Sequence, residues 1–223
     1  MSLRSAIINS EGEIIEESEI DNMVCDCCQT SLTISDNIPI VVYRDRTKNE
    51  IRDISVSRFI NSSWTNSYSL NDDNWKINGC PVNGPYIDSK GKNVAVAWFS
   101  AARGNPQVSV KFSNDQGQSF GEKILINDLN TIPLGRVDLD FIDQTLVVVS
   151  WLSTNKGVGS INLRKIDMNG NMGEIVSLSN VSSSRVTGFP QLERLKNDIF
   201  LSWTDEMNGI KKIKTFKLPI SSL

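Results

Sequence analysis

Apolar and polar positions recur along this chain with a long period. Four apolar runs, IPIVVYRD, NVAVAWFS, TLVVVSWLS and DIFLSWTD, each reach an aromatic residue and then a polar turn. The aromatics are Tyr43, Trp98, Trp151 and Trp203, at intervals of 55, 53 and 52 residues. An alternating segment rich in β-branched residues follows each run: IRDISVSRF, QVSVKFSND, GSINLRKID and GIKKIKTFK. Alternation of this kind predicts half-buried strands. A shorter segment precedes each run, aligning Ile34, Ile87, Leu139 and Leu192. Short fourth strands are predicted at EKILIN and EIVSLS. Sustained helical periodicity is absent.

Each unit therefore reads as a four-stranded antiparallel meander. Repeats of about 40 to 50 residues with four strands each predict an all-β fold, the β-propeller, in which blades stack around an axis. A β-sandwich with accidental periodicity is the competing architecture. One propeller domain spans 1–223, with full blades at 21–75, 80–130 and 133–180 and partial blades at 3–19 and 185–218. This falls about seven strands short of a six-bladed ring. The expectation is an incomplete six-bladed propeller of about four blades. Such a fragment exposes two apolar blade faces, which invites self-association.

Composition narrows the chemistry. The chain has 223 residues, 39% hydrophobic and 22% charged, enough for a substantial core. A formal net charge of -3 and a pI near 5.1 argue against a nucleic-acid footprint. No apolar run approaches the roughly 20 residues of a membrane-spanning helix. Histidine is absent, which excludes Ser-His-Asp triads, Cys-His dyads and His-ligated metals within this chain. Any acid–base work falls to carboxylates, tyrosine, lysine or cysteine. No cofactor motif is legible.

The segment SNDQGQSF, Ser113 to Phe120, fits the pattern Ser-x-Asp-x-Gly-x-Ser/Thr-Trp/Phe. Here the chain resembles the Asp-box, or bacterial neuraminidase repeat, proteins of the sialidase-like propellers. Ser113 and Asp115 are expected to accept turn amides, Gly117 to supply positive φ, and Phe120 to pack under the hairpin. Degenerate versions stand at FINSSW, IDMNGNMG and INSEGE. The resemblance implies a binding site on the face away from the Asp boxes. It also implies an arginine clamp on a carboxylate, a Tyr nucleophile paired with Glu, and an Asp acid. Asp boxes occur in many proteins that are not sialidases, so the box by itself speaks for fold.

In a meander blade, the loops joining blades share one face with the turns between second and third strands. That face collects Arg44, Arg46, Arg52, Arg103, Arg136 and Arg185. Arg44, Arg52, Arg103 and Arg136 are the candidate ligand-binding residues, since guanidinium forks match carboxylates. Asp26 and Tyr86 are weak catalytic candidates, with no Glu placed beside either. Tyr43, Arg44, Asp45, Arg52 and Asp53 read equally well as a structural network across one hairpin. Three cysteines, Cys25, Cys27 and Cys28, crowd the same face, and Cys80 follows Cys27 by 53 residues, one repeat. That spacing predicts a disulfide from Cys80 to Cys27 or Cys28, with Cys25 taking the remaining partner. A four-thiolate metal site at Cys25, Cys27, Cys28 and Cys80, or free redox-active thiols, are the alternatives. Disulfides would place the protein in the periplasm or outside the cell. The expected partner is a carbohydrate or small acidic ligand. A non-catalytic glycan-binding propeller, a sialidase-like glycoside hydrolase and a metal-handling module all remain open.

Overall fold

The computed structural model describes residues 1–223 apart from 185, 186, 188 and 208. It is all-β. Its sheets are two-, five-, four-, four- and three-stranded in chain order, and every strand pair is antiparallel. The first is β1 (Leu3–Ile8) with β2 (Ile14–Asp21). The second holds β3 (Ser31–Ser35), β4 (Ile38–Arg44) and β5 (Ile54–Ile60), with β6 (Ser63–Trp64) and β7 (Tyr68–Asn71) both against β5. These last two split the outer-strand position between them.

The third sheet runs β8 (Tyr86–Lys90), β9 (Asn93–Ser100), β10 (Gln107–Ser113) and β11 (Ile124–Leu125). The fourth runs β12 (Ile132–Phe141), β13 (Leu146–Asn155), β14 (Val158–Asp167) and β15 (Val176–Val181). The fifth holds β16 (Gln191–Leu195), β17 (Asp198–Met207) and β18 (Ile210–Pro219). Among the described residues no sheet closes on itself.

The recurrent aromatics occupy matching places, on β4, β9, β13 and β17. Of these second strands, β4, β9 and β13 are apolar on both faces because packed residues cover each side, whereas β17, in the last sheet, buries Ile199 and Leu201 but leaves Phe200 38% exposed. Tyr43, Trp98 and Trp151 are each 1% exposed. Apolar layers lie between successive sheets: Val24, Val41 and Tyr43 in one, Ile40 to Trp98 in the next, then Trp75 to Ile166, then Val148 to Leu201. The first strands β3, β8, β12 and β16 lie side by side along the axis.

Polar side chains stitch those first strands together. Thr33 and Ser89 hydroxyls meet at 2.7 Å, and Ser35 donates to the Gly91 carbonyl at 2.7 Å. The Asp88 carboxylate accepts the Phe141 amide at 2.9 Å. Asp138 accepts the Leu192 amide at 2.7 Å, and Asp140 accepts the Arg194 amide at 2.8 Å.

The turns between third and fourth strands are closed by their own side chains. In the Ser113–Phe120 turn, Ser113 Oγ accepts the Gly117 amide at 2.9 Å and Asp115 accepts the Ser119 amide at 2.9 Å. Gly117 adopts φ 70°, and its carbonyl accepts the Tyr68 hydroxyl. Asp167 caps the β14–β15 turn by accepting the Asn169 and Asn171 amides, each at 2.9 Å. Asn9 accepts the Glu11 and Glu13 amides in the β1–β2 turn. An acceptor at the head of the turn survives where the rest of the pattern is lost.

Candidate functional site

The loop joining β2 to β3 carries three of the cysteines, and the loop joining β7 to β8 carries the fourth. Cys25 is joined to Cys28, with Cα atoms 5.6 Å apart, and Cys27 to Cys80, with Cα atoms 6.2 Å apart. The second bond ties neighbouring sheets together. Among the described residues no cysteine is free, so a thiolate metal site at these positions requires reduction first. The glutamine that follows extends the tie: Gln29 Oε1 accepts the Gly84 amide at 2.8 Å. A Cβ on Gly84 would overlap the Gln29 carbonyl, so this close approach needs glycine.

Two cavities open on this face and share Cys80. The first, of about 410 Å³, is lined by Asp26, Cys27, Arg46, Glu50, Arg52 and Cys80, with Asn78 and Gly79. Arg46 sits between two carboxylates, at 2.7 Å from Glu50 and 3.5 Å from Asp26. Arg52 reaches Glu50 at 2.8 Å and donates to Cys25 Sγ at 3.5 Å. Hydrogen bonds from Arg46 and Arg52 hold the Glu50 carboxyl below its usual range. The second cavity, of about 290 Å³, is walled by Trp75, Phe99, Leu134 and Arg136, with Pro81 and Asn83. Trp75 and Phe99 meet edge-on, ring centres 5.6 Å apart.

The arginines divide by environment. Arg44 is 2% exposed and points between the sheets. Its guanidinium donates to the carbonyls of Asn83 and Arg52 at 2.6 Å and of Phe99 at 2.7 Å, and lies 4.8 Å above the Trp75 ring. That geometry makes Arg44 a framework residue. Burial pulls its pKa down to about 9, against the nearby Asp53 and Asp73 charges. Arg52 lines the first cavity and Arg136 the second, where Arg136 lies 5.2 Å from the Phe189 ring centre. Arg103 stands exposed on the β9–β10 turn with φ 56°. Arg185 lies outside the described residues.

The two catalytic candidates have different surroundings. Asp26 is on the rim of the first cavity, 56% exposed and also 3.4 Å from the chain's amino terminus. Tyr86, on β8, packs against the apolar layer between the third and fourth sheets and hydrogen-bonds Asp138. Burial foremost, then the Asp138 charge, raises the Tyr86 phenol. Asp45 and Asp53 are bound mainly to backbone: Asp45 accepts its neighbour Arg46 at 2.6 Å, and Asp53 accepts Asn74 and Trp75 amides. The hairpin network is thus built on main-chain amides more than ion pairs.

Sequence reasoning missed Glu50, Trp75 and Asn83. Glu50 lay inside the loop already assigned to this face, and its distance from Asp26 along the chain hid their shared contact with Arg46. Asn83 links three sheets, giving its carbonyl to Arg44, its side-chain amide to Leu134 at 3.0 Å, and accepting the Arg136 amide at 2.7 Å. The only sequence sign of that role is its place beside glycine and proline in CPVNGP. A larger hollow of about 480 Å³ flanks the Ser113–Phe120 turn on the opposite face. Ser113 and Ser119 there are already bonded to Asp115.

Known proteins agree with this architecture. The exo-β-1,3-galactanase of Phanerochaete chrysosporium superposes with TM-score 0.52 at 14% identity, covering 96% of this chain and 49% of its own. The phage phi92 endosialidase superposes with TM-score 0.60 at 13% identity, covering 92% and 38%. The α-L-arabinofuranosidase of Podospora anserina gives TM-score 0.53 at 10% identity, covering 88% and 65%. At these identities the likeness shows the fold, that of the propeller carbohydrate-active enzymes. The chain spans between about a third and two thirds of those proteins' lengths. No family model matches the sequence, and no curated protein matches it.

Proposed function

We propose that this chain supplies part of a six-bladed sialidase-like propeller, of the Asp-box kind, whose cysteine-bearing face binds an acidic glycan. The observation that carries the reading is the pair of adjoining cavities. One holds Arg46 and Arg52, both paired with Glu50, which a ligand carboxylate would have to displace, and the other is walled by the edges of the largely buried Trp75 and Phe99 beside Arg136. Sugar sites pair such charged forks with apolar ring surfaces. The disulfides fit an oxidising, exported setting.

Binding is favoured over hydrolysis by the state of two carboxylates, Glu50 in the first cavity and the buried Asp138. A glycosidase acid must hold its proton near neutral pH. Glu50 is held ionised by its two arginines. Asp138, whose carboxyl burial raises to about 7, is 1% exposed and accepts the Leu139 and Leu192 amides. It is therefore closed to substrate.

Titration calorimetry with a sialylated or uronate-bearing oligosaccharide, against its neutral counterpart, tests the reading. The acidic sugar should bind at least about tenfold tighter, and Arg46→Gln should abolish the difference, as loss of a charge-assisted hydrogen bond implies. Equal affinity for both sugars would sink the proposal. A fluorogenic sialoside should not be turned over.

A further inference from the structure

The two disulfides are not independent cross-links. Cys25 Sγ, bonded to Cys28, lies 3.8 Å from Cys27 Sγ, bonded to Cys80. Cys25 and Cys28 have the Cys-x-x-Cys spacing that favours a low thiol pKa. A buried guanidinium adds to this: Arg52, its side chain 6% exposed, donates to Cys25 Sγ at 3.5 Å and is held in place by Glu50. Cys25 itself is 5% exposed, Cys28 is half-buried, and Cys80 is exposed. A purely structural staple needs neither a second disulfide in contact nor a cation on one sulfur.

We propose that this cluster is a thiol–disulfide relay acting on a dithiol. One thiolate of the dithiol attacks Cys28 Sγ, and Cys25 leaves as a thiolate stabilised by Arg52. That thiolate attacks Cys27 Sγ, forming a Cys25–Cys27 bond and expelling Cys80 as a thiolate. The second thiol of the dithiol then attacks the dithiol's own sulfur in the mixed disulfide, forming the cyclic disulfide and expelling Cys28 as a thiolate. Two electrons and two protons pass from the dithiol to the thiols of Cys28 and Cys80, so one disulfide remains in the protein. Reduction that enters at Cys28 thereby cuts the bond between two sheets. Cys80 walls both cavities, so the relay couples redox state to the loop face. That coupling rests on the glycan reading; the exchange does not.

The test uses the native chain with one equivalent of dithiothreitol, an acid quench, alkylation and peptide mapping. Label on Cys28 and Cys80, with Cys25 and Cys27 protected, is the expected result. Label on Cys25 and Cys28 with Cys27–Cys80 intact overturns the relay, and so does label on Cys27 and Cys80 with Cys25–Cys28 intact. Arg52→Gln should give the same labels but release Cys80 about tenfold more slowly, the size expected from losing a cation beside the thiolate. An unchanged rate removes Arg52 from the mechanism. Because labelling needs no sugar, its outcome is separate from that of the calorimetry.

Discussion

A single guanidinium shows how a side chain's role turns on which way a strand end faces. Arg44 follows Tyr43 at the end of β4 and enters the gap between the second and third sheets, where it donates to the carbonyls of Asn83, Arg52 and Phe99. Arg44→Met should cost about 3 to 5 kcal/mol, because it leaves buried acceptors unpaired. Urea unfolding monitored by tryptophan fluorescence checks this; a loss under about 1 kcal/mol would contradict the framework role. In the sequence, Arg44, Arg52, Arg103 and Arg136 read alike, as loop-face arginines that could clamp a carboxylate. Burial does not separate Arg44 from Arg52 and Arg136, which are only 5% and 6% exposed; Arg44 differs in spending its guanidinium on three backbone carbonyls, whereas Arg52 pairs with Glu50, and alternation encodes neither partner. The turn acceptor Asp115 was legible because its partners are a few residues away, while Asp167 and Asn9 lay unnamed within segments read only as degenerate copies of that turn.

Neighbouring elements are joined by carboxylates that look like solvent-facing positions in the sequence. Asp88, Asp138 and Asp140 stand on first strands, yet each accepts an amide about one repeat ahead. The repeat itself was legible from the aromatics, since its period is local to no contact and survives divergence. The bridges were not, since an aspartate in an alternating strand reads as its wet side. They set a pH dependence. Burial raises the carboxyl of Asp138 to about 7, above the roughly 3.9 of an unfolded aspartate. The native chain then holds the extra proton between those values, so this group's contribution is present below about pH 4 and is lost as pH rises to about 7. The slope approaches about 1.4 kcal/mol per pH unit. Asp143 and Asp167, held low by turn hydrogen bonds, act oppositely at more acid pH. Unfolding midpoints measured from pH 4 to 8 should fall across this range, and Asp138→Asn should flatten the fall. Parallel curves for the two proteins would refute the assignment.

Across the whole molecule, both terminal sheets carry exposed apolar side chains. Ile8, Ile14 and Ile15 on the first are 59 to 64% exposed, and Ile210 and Ile213 on the last are 59% and 76% exposed. Such patches associate. Sedimentation velocity should show mass rising with concentration, and the double substitution Ile15→Lys with Ile213→Lys should suppress the rise. A chain that stays monomeric at every concentration would argue against it. The aspartate bridges give the row of sheets an orientation. The third and fourth sheets offer carboxylate oxygen forward, and the fourth and fifth receive it through amides. Glu193, one repeat beyond Asp140 and exposed on β16, stands where that forward acceptor recurs. Polarity of this sort lets a further blade join in one sense and rejects it when turned around, so the order of blades is written into their chemistry as well as into chain connectivity.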